Sequence, residues 1–90
     1  MRSIRYTSQF KKDAKRIRKR GKDFAKLKVV INKLASGEEL EPRYRDHALI
    51  GNFRGARDCH IEPDWLLIYQ VDDEELILVR TGSHSDLFKK

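Results

Sequence analysis

The sequence offers few covalent or membrane-derived constraints on its structure. Cysteine occurs once, at Cys59, so an internal disulfide cannot form and a cysteine-based zinc site is not indicated. No apolar run approaches the ~20 residues that a membrane-spanning helix needs. The first residues also lack the apolar segment and cleavage site of a signal peptide. We therefore expect a soluble, cytoplasmic protein that makes no contact with a membrane.

Positive charge is present in excess and is unevenly distributed. The formal net charge is +6, yet residues 11–33 alone carry eleven Lys and Arg against Asp13 and Asp23. Such a concentration on one segment favours a polyanionic partner, although a solvated helix face would have the same composition. Ninety residues are enough for one domain spanning residues 1–90, because a division would leave neither half with a core.

The spacing of apolar residues predicts an α+β fold in the order β-α-α-β-β-β. A short strand at residues 4–6 precedes a helix capped by Thr7 or Ser8, and a second amphipathic helix follows Gly21. Residues 38–51 are irregular. Three strands are then predicted at residues 53–61, 65–71 and 76–81, and residues 83–88 can form a short helical turn. We expect an antiparallel sheet with the helical hairpin packed on one face, and a central position for the strand at 65–71, which is apolar on both faces.

Three histidines in the second half are the principal candidates for chemistry: His47, His60 and His84. An imidazole gains and loses protons near neutral pH. Cleavage of RNA without a metal needs one group to take the 2′-hydroxyl proton, another to protonate the leaving 5′-oxygen, and a cation to stabilise the phosphorane. The histidine and carboxylate spacings match no compact metal motif, and a glycine-rich phosphate loop and a nucleophile motif are absent. We therefore expect neither a metal nor another cofactor.

The neighbours of these histidines allow both catalytic and structural interpretations. Gly82 permits a turn that would bring His84 to the sheet edge, with Arg80 available for a phosphate and Phe88 for a base. The plainer interpretation makes His84 a surface residue and Phe88 a core residue. Asp58 shares a strand face with His60 and can orient it.

Two further residues next to the turn at Pro63 have the same ambiguity. Asp64 can be a base, a histidine partner or only a turn residue. The adjacent Trp65 is more typical of core or rim packing than of base stacking.

Three segments together resemble the YafQ toxins of the RelE/ParE superfamily, which are found in bacterial type II toxin–antitoxin systems. They are residues 45–49 (RDHAL), residues 57–69 (RDCHIEPDWLLIY) and residues 80–88 (RTGSHSDLF). The likeness covers nearly the whole chain. It implies a RelE-like fold and a ribosome-dependent, metal-independent messenger-RNA endonuclease that inhibits translation.

The resemblance also implies partners and site residues. A cognate antitoxin would neutralise the protein, operator DNA would be bound only through the antitoxin complex, and the basic hairpin would contact ribosomal RNA. The implied catalytic residues are His84 as general acid, His60 or Asp64 as base, and His47. The implied substrate-binding residues are Arg80 as phosphate clamp, Phe88, Trp65 and Arg57.

Two other functions remain open on the sequence. A ParE-like toxin of the same fold would inhibit DNA gyrase without catalysis, and a basic RNA-binding module would perform no chemistry. Fold cannot separate them, because one fold hosts many functions. The combination of His60, Asp64 and His84 favours the nuclease, since a gyrase inhibitor does not need it.

Overall fold

The computed structural model describes residues 1–88. In chain order its elements are β1 (Ser3–Tyr6), α1 (Ser8–Lys19), α2 (Phe24–Ala35), β2 (His47–Ala48), β3 (Arg57–Glu62), β4 (Trp65–Val71), β5 (Glu75–Gly82) and α3 (His84–Phe88). Single 3₁₀ turns occur at Pro42–Tyr44 and Gly51–Phe53. No helix in this part of the chain is long and apolar enough to cross a membrane. The α+β class and the short C-terminal helix are confirmed.

Both long helices begin at a side-chain cap. Thr7 accepts a hydrogen bond from the backbone N–H of Phe10 at 2.9 Å, and Asp23 accepts one from Ala25 at 3.0 Å. Each cap satisfies an N–H group that the first helical turn leaves without a partner. The sequence predicted the first cap. The second cap, at Asp23, lies three residues after Arg20, where the α1 helix has ended.

The five strands form one mixed sheet in the order β1-β5-β4-β3-β2. The β2–β3, β3–β4 and β4–β5 pairs are antiparallel, as expected for consecutive strands. β1 instead runs parallel to β5, with Ser3 opposite Glu75, so the expectation of an all-antiparallel sheet was wrong. The chain between β1 and β5 contains both long helices, and such a long connection permits parallel pairing.

The apolar core lies between the sheet and the two long helices. Phe10 and Ile17 of α1 and Leu27 and Val30 of α2 pack against inward-facing strand residues, among them Cys59, Leu67, Tyr69, Leu76 and Leu78. The opposite face carries a smaller cluster in which Leu87 of α3 packs on Leu66 and Ile68. The central strand β4 is buried on both faces, as its composition predicted.

The predicted start of the strand at residues 53–61 was wrong. The expected strand at residues 53–61 begins only at Arg57, and residues 51–53 form a 3₁₀ turn. Gly55 has φ +91°, a conformation outside the extended region, so the chain cannot continue as a strand through it. The segment expected to be irregular contains the two-residue strand β2.

Candidate active site

The three histidines lie in a row on the sheet face opposite the long helices. His47 is on β2, His60 on β3, and His84 begins α3. The ring centroids of His47 and His60 are 6.5 Å apart, and those of His60 and His84 are 5.5 Å apart. The register explains this, because His47 lies opposite Asp58 and His60 opposite Leu66, whose side chains belong to the same face. We name these three residues the histidine row.

Asp64 fixes the position of His84 through two hydrogen bonds. Its Oδ1 accepts one from the backbone N–H of His84 at 3.0 Å and lies 2.6 Å from the ring Nδ1. These two bonds hold the pKa of the Asp64 carboxyl below its usual value. An ionised carboxylate can only accept, so Nδ1 carries a proton and Nε2 is left for chemistry. The His84 side chain is 54% exposed, which makes Nε2 accessible to a substrate.

Asp86 organises the turn that carries His84. Its Oδ2 accepts a hydrogen bond from the backbone N–H of Ser83 at 3.0 Å, and Ser83 Oγ accepts one from the Asp86 N–H at 3.2 Å. This reciprocal arrangement is a capping box. A Cβ atom at Gly82 would lie 2.9 Å from Asp86 Cβ, so only glycine leaves room for this carboxylate.

The same carboxylate connects α3 to α1. Arg20 Nη1 and Nη2 donate to the two Asp86 oxygens at 2.6 and 3.1 Å, and Arg16 lies 3.7 Å from Oδ1. The pKa of Asp86 is lowered far below its usual value, first by the hydrogen bond from Arg20. The basic helix α1 is therefore linked directly to the turn of His84. We name Asp86, Arg20 and Arg16 the α1–α3 clamp.

His60 is the most enclosed member of the histidine row. Burial lowers its pKa below the ordinary value, which favours the neutral imidazole. Beneath it, Asp58 is only 3% exposed. Within residues 1–88, neither Asp58 Oδ1 nor His60 Nδ1 has a hydrogen-bond partner. The expectation that Asp58 orients His60 is thus not met by a hydrogen bond between them, and the nearer imidazole nitrogen is His47 Nδ1, at 3.5 Å from Asp58 Oδ1.

His47 is held by a strained turn before β2. Arg45 has φ +49°, unusual for a residue with a side chain, and its carbonyl oxygen lies 2.8 Å from His47 Nδ1. A carbonyl only accepts, so Nδ1 of His47 donates and Nε2 is the free nitrogen. Asp46 anchors this turn from the helix side, because its Oδ1 accepts hydrogen bonds from Tyr69 Oη at 2.6 Å and Arg57 Nε at 3.2 Å.

Two phenylalanines extend the histidine row. The Phe88 ring lies 6.4 Å from that of His84, as the sequence suggested, and packs edge-on against Phe53 at 5.9 Å. Both rings are half-buried. Their partly open faces can receive a nucleotide base.

Two residues expected to bind substrate are placed elsewhere, and a third, Arg80, is held in an ion pair. Trp65 is fully buried on the helix side, where its indole N–H donates to Thr81 Oγ1 at 2.9 Å. Arg57 points to the same side and binds Asp46. Arg80 donates from Nε and Nη2 to the two oxygens of Asp13, each at 3.0 Å. The placements of Trp65 and Arg57 do not fit direct contact with a substrate at the histidine row, because strand alternation turns both side chains to the helix side. Arg80 lies opposite Ile68, on the face of the histidine row, with its guanidinium paired to Asp13.

Several residues that shape the site gave no signal in the sequence. Asp13, Asp46 and Asp86 look like ordinary surface acids, and Phe53 was assigned to a strand. Their partners are far away in the chain, and Asp13 and Arg80 are 67 positions apart. Only the helical spacing of Asp13 with Phe10 and Ile17 marked an inward position. Within residues 1–88, no three His, Cys, Asp or Glu side chains are arranged to hold a metal ion.

Comparison with known proteins identifies the family. Residues 2–89 match the family model described as a bacterial toxin of type II toxin–antitoxin systems, YafQ. The chain is 46% identical over 88 residues to the mRNA interferase toxin YafQ of Escherichia coli K12, covering 97% of this chain and 96% of that protein.

Two crystal structures have the same fold. The toxin in the E. coli DinJ–YafQ toxin–antitoxin complex superposes with a TM-score of 0.90 at 45% identity over 97% of each chain. A metal-bound toxin from Helicobacter pylori superposes with a TM-score of 0.91 at 43% identity, over 98% of this chain and 100% of that one. From its fold, its histidine row and these matches, the chain belongs to the YafQ toxins of bacterial type II toxin–antitoxin systems.

Proposed function

We propose that this toxin is a ribosome-dependent, metal-independent messenger-RNA endonuclease whose chemistry is performed by His60 and His84. The observation that carries the proposal is the adjacency of these two imidazoles, 5.5 Å between centroids, one enclosed and one held by a carboxylate. A phosphodiester group is large enough to contact both. The related E. coli protein is named an mRNA interferase, which supports the same activity here.

His60 is the general base of the proposed reaction. Burial favours its neutral form, which can accept a proton at neutral pH. It takes the proton of the ribose 2′-hydroxyl, and the 2′-oxygen attacks the adjacent phosphorus. A 2′,3′-cyclic phosphate forms as the bond from phosphorus to the 5′-oxygen breaks.

His84 is the general acid that completes this step. Its Nε2 gives a proton to the leaving 5′-oxygen, which departs as a hydroxyl. Asp64 acts as the positioning residue for His84, since its carboxylate is already occupied by the ring and backbone of that histidine and its lowered pKa makes it a weak base. Of the two candidates for the base, this favours His60.

The surroundings of the site support a substrate presented by the ribosome. Residues 11–33, which include most of α1 and α2, carry eleven basic residues and can bind ribosomal RNA phosphates. Ribosome-dependent cleavage would place the toxin in the cytoplasm. The E. coli relative crystallises with the antitoxin DinJ, so a cognate antitoxin is the expected protein partner.

The test is to map message 5′ ends on ribosomes after brief expression of wild type and His84→Gln. The wild type should produce new 5′-hydroxyl ends, and His84→Gln should lower cleavage by at least ~10²-fold, the usual contribution of general acid catalysis. The variant should still bind antitoxin, which serves as the control for folding.

Two outcomes would contradict the proposal. Full cleavage by His84→Gln would remove the assigned acid. Growth arrest with intact messages and broken DNA would indicate a gyrase inhibitor instead. A chelator selective for transition metals, added while magnesium keeps the ribosomes intact, should leave the rate unchanged.

A further inference from the structure

The reaction needs a cation near the phosphate, and the charge of Arg80 is already paired with a carboxylate. Its guanidinium is paired through two hydrogen bonds with Asp13, whose side chain is fully buried. The negative charge of Asp13 offsets that of Arg80. Only 21% of the Arg80 side chain is exposed. A guanidinium held in this way is chiefly part of the structure that joins α1 to β5.

Arg45 differs from Arg80 in both its exposure and its pairing. It is exposed, and within residues 1–88 its guanidinium forms no ion pair or hydrogen bond. Its backbone contacts the histidine row, because its carbonyl accepts the hydrogen bond from His47 Nδ1. Burial is the main cause of the low pKa of His60, the Asp58 carboxylate partly offsets it, and the positive charge of Arg45 lowers it further, so Arg45 is within electrostatic reach of the proposed base.

A groove of about 500 Å³ connects Arg45 with His60. One wall is the turn at residues 43–45, and the other is the end of β3 with Pro63 and part of α2. β2 pairs only with Arg57 and Asp58, so β3 has no strand on this side beyond them in the described residues. The groove therefore opens from the histidine row onto the surface.

The groove is basic towards its Arg45 end. Lys26 is neutralised there by Glu62 at 2.8 Å, and Arg43 lies near Glu41 at 3.5 Å. Arg45 is thus the guanidinium in this groove whose charge no carboxylate in residues 1–88 offsets. A phosphate is the ligand that an uncompensated, exposed guanidinium binds best, through two parallel hydrogen bonds.

We propose that Arg45 is a cation that binds the phosphate of the message at the histidine row, and that the groove beside it holds the adjoining nucleotide. This inference rests on the proposed nuclease function and assigns its phosphate-binding residue. Arg45 stabilises the charge that grows on the non-bridging oxygens as the 2′-oxygen attacks. Its effect is therefore on the chemical step as well as on binding.

The positive φ of Arg45 provides an unusually clean variant. Glycine adopts φ +49° without strain, so Arg45→Gly removes the guanidinium while preserving the turn and the carbonyl that binds His47. We expect kcat for message cleavage on ribosomes to fall about 100-fold, the usual loss for one donor to a developing oxyanion. Arg45→Lys should recover part of that loss, since it restores charge without the two-pronged geometry.

Arg54→Ala is the matched control, because Arg54 is also exposed and lies outside the groove. It removes the same charge and should cleave at the wild-type rate. Thermal unfolding should be unchanged in Arg45→Gly. The dependence of the rate on salt should also be weaker in Arg45→Gly than in Arg54→Ala.

The outcomes separate this inference from the function on which it rests. Absence of cleavage by the wild type would overturn the nuclease proposal itself. Wild-type cleavage by Arg45→Gly would overturn only the role of Arg45. If that variant also bound antitoxin more weakly, the groove would belong to an acidic protein segment instead of RNA.

Discussion

His60 and His84 have different environments although they are neighbours. His60 is enclosed within the sheet face beside Asp58, whereas His84 lies on a short helix and is held by Asp64. Burial disfavours the charged imidazole at His60, and the Asp64 carboxylate fixes the tautomer at His84. In the proposed reaction one residue type therefore serves two roles, because its surroundings differ.

This difference predicts the pH dependence of cleavage. The base must be neutral, and the pKa of His60 lies below its ordinary value of about 6.5. As the pH rises, kcat/KM should therefore reach its maximum through a limb centred below about 6.5. In a His60→Gln variant this limb should be absent from the residual activity. A wild-type limb centred above 7 would show that another group is the base.

At the level of elements, the position of His84 depends on a five-residue helix that is too short to be stable alone. Leu87 packs it onto β4, the Ser83–Asp86 capping box fixes its first turn, and the α1–α3 clamp connects it to α1. Three interactions, two of them made by Asp86, thus replace the stability that length would give.

Asp86→Ala should remove both the cap and the clamp. We expect a loss of about 1–2 kcal/mol in unfolding free energy and a larger relative loss in kcat than in KM, because His84 would be less well placed. Arg20→Ala removes the clamp and keeps the cap, so it should show a smaller effect on both. If kcat and KM changed by the same factor in each variant, this would argue against a positioning role for Asp86.

The sign of the pH effect on this element follows from the lowered pKa of Asp86. The stabilisation that the ionised Asp86 carboxylate contributes is complete above its pKa in the unfolded chain, which is near 4. It is lost as the pH falls toward the lower pKa of Asp86 in the folded protein. Urea midpoints measured between about pH 5 and pH 2 should decline more steeply in wild type than in Asp86→Ala.

The elements also show which parts of the structure are readable from sequence. β4 was predicted with its observed bounds, Trp65–Val71, because its apolar run is bounded by turn residues on both sides. β2 was missed, since two residues are too few to form a pattern. The grouping of His47, His60 and His84 in one site followed from the resemblance and not from their spacing alone. The pairing of Arg80 with Asp13 did not, because no local spacing records a contact between α1 and β5.

At the scale of the whole molecule, Asp13 joins the two halves of the fold. This fully buried carboxylate on α1 accepts hydrogen bonds from Arg80 and from the backbone N–H of Thr81 at 3.2 Å. Thr81 in turn binds the Trp65 indole and the carbonyl of Leu66 at 2.7 Å. The network thus spans from the first helix to the ends of β4 and β5, from which Asp64 and His84 extend.

Asp13→Ala should be the most destabilising of the substitutions considered. It leaves the partly buried Arg80 guanidinium without its partner, and we expect a loss of about 3 kcal/mol in urea-unfolding free energy. Arg5→Ala, which breaks the exposed Arg5–Glu75 pair, should cost less than about 1 kcal/mol. If the two variants were equally stable, the buried network would not support the fold.

The parallel pairing of β1 with β5 has a consequence for the toxin during its own synthesis. Ser3 and Glu75 are 72 positions apart in the chain, yet they are neighbours in the sheet. Contacts of such long range form late, after the intervening chain has been made. The site needs β3, the start of α3 and the clamp on α1, so a growing chain that has not yet extended through Asp86 cannot assemble it. We therefore expect the proposed nuclease to be inactive while it is a nascent chain, until the last strand and helix are in place.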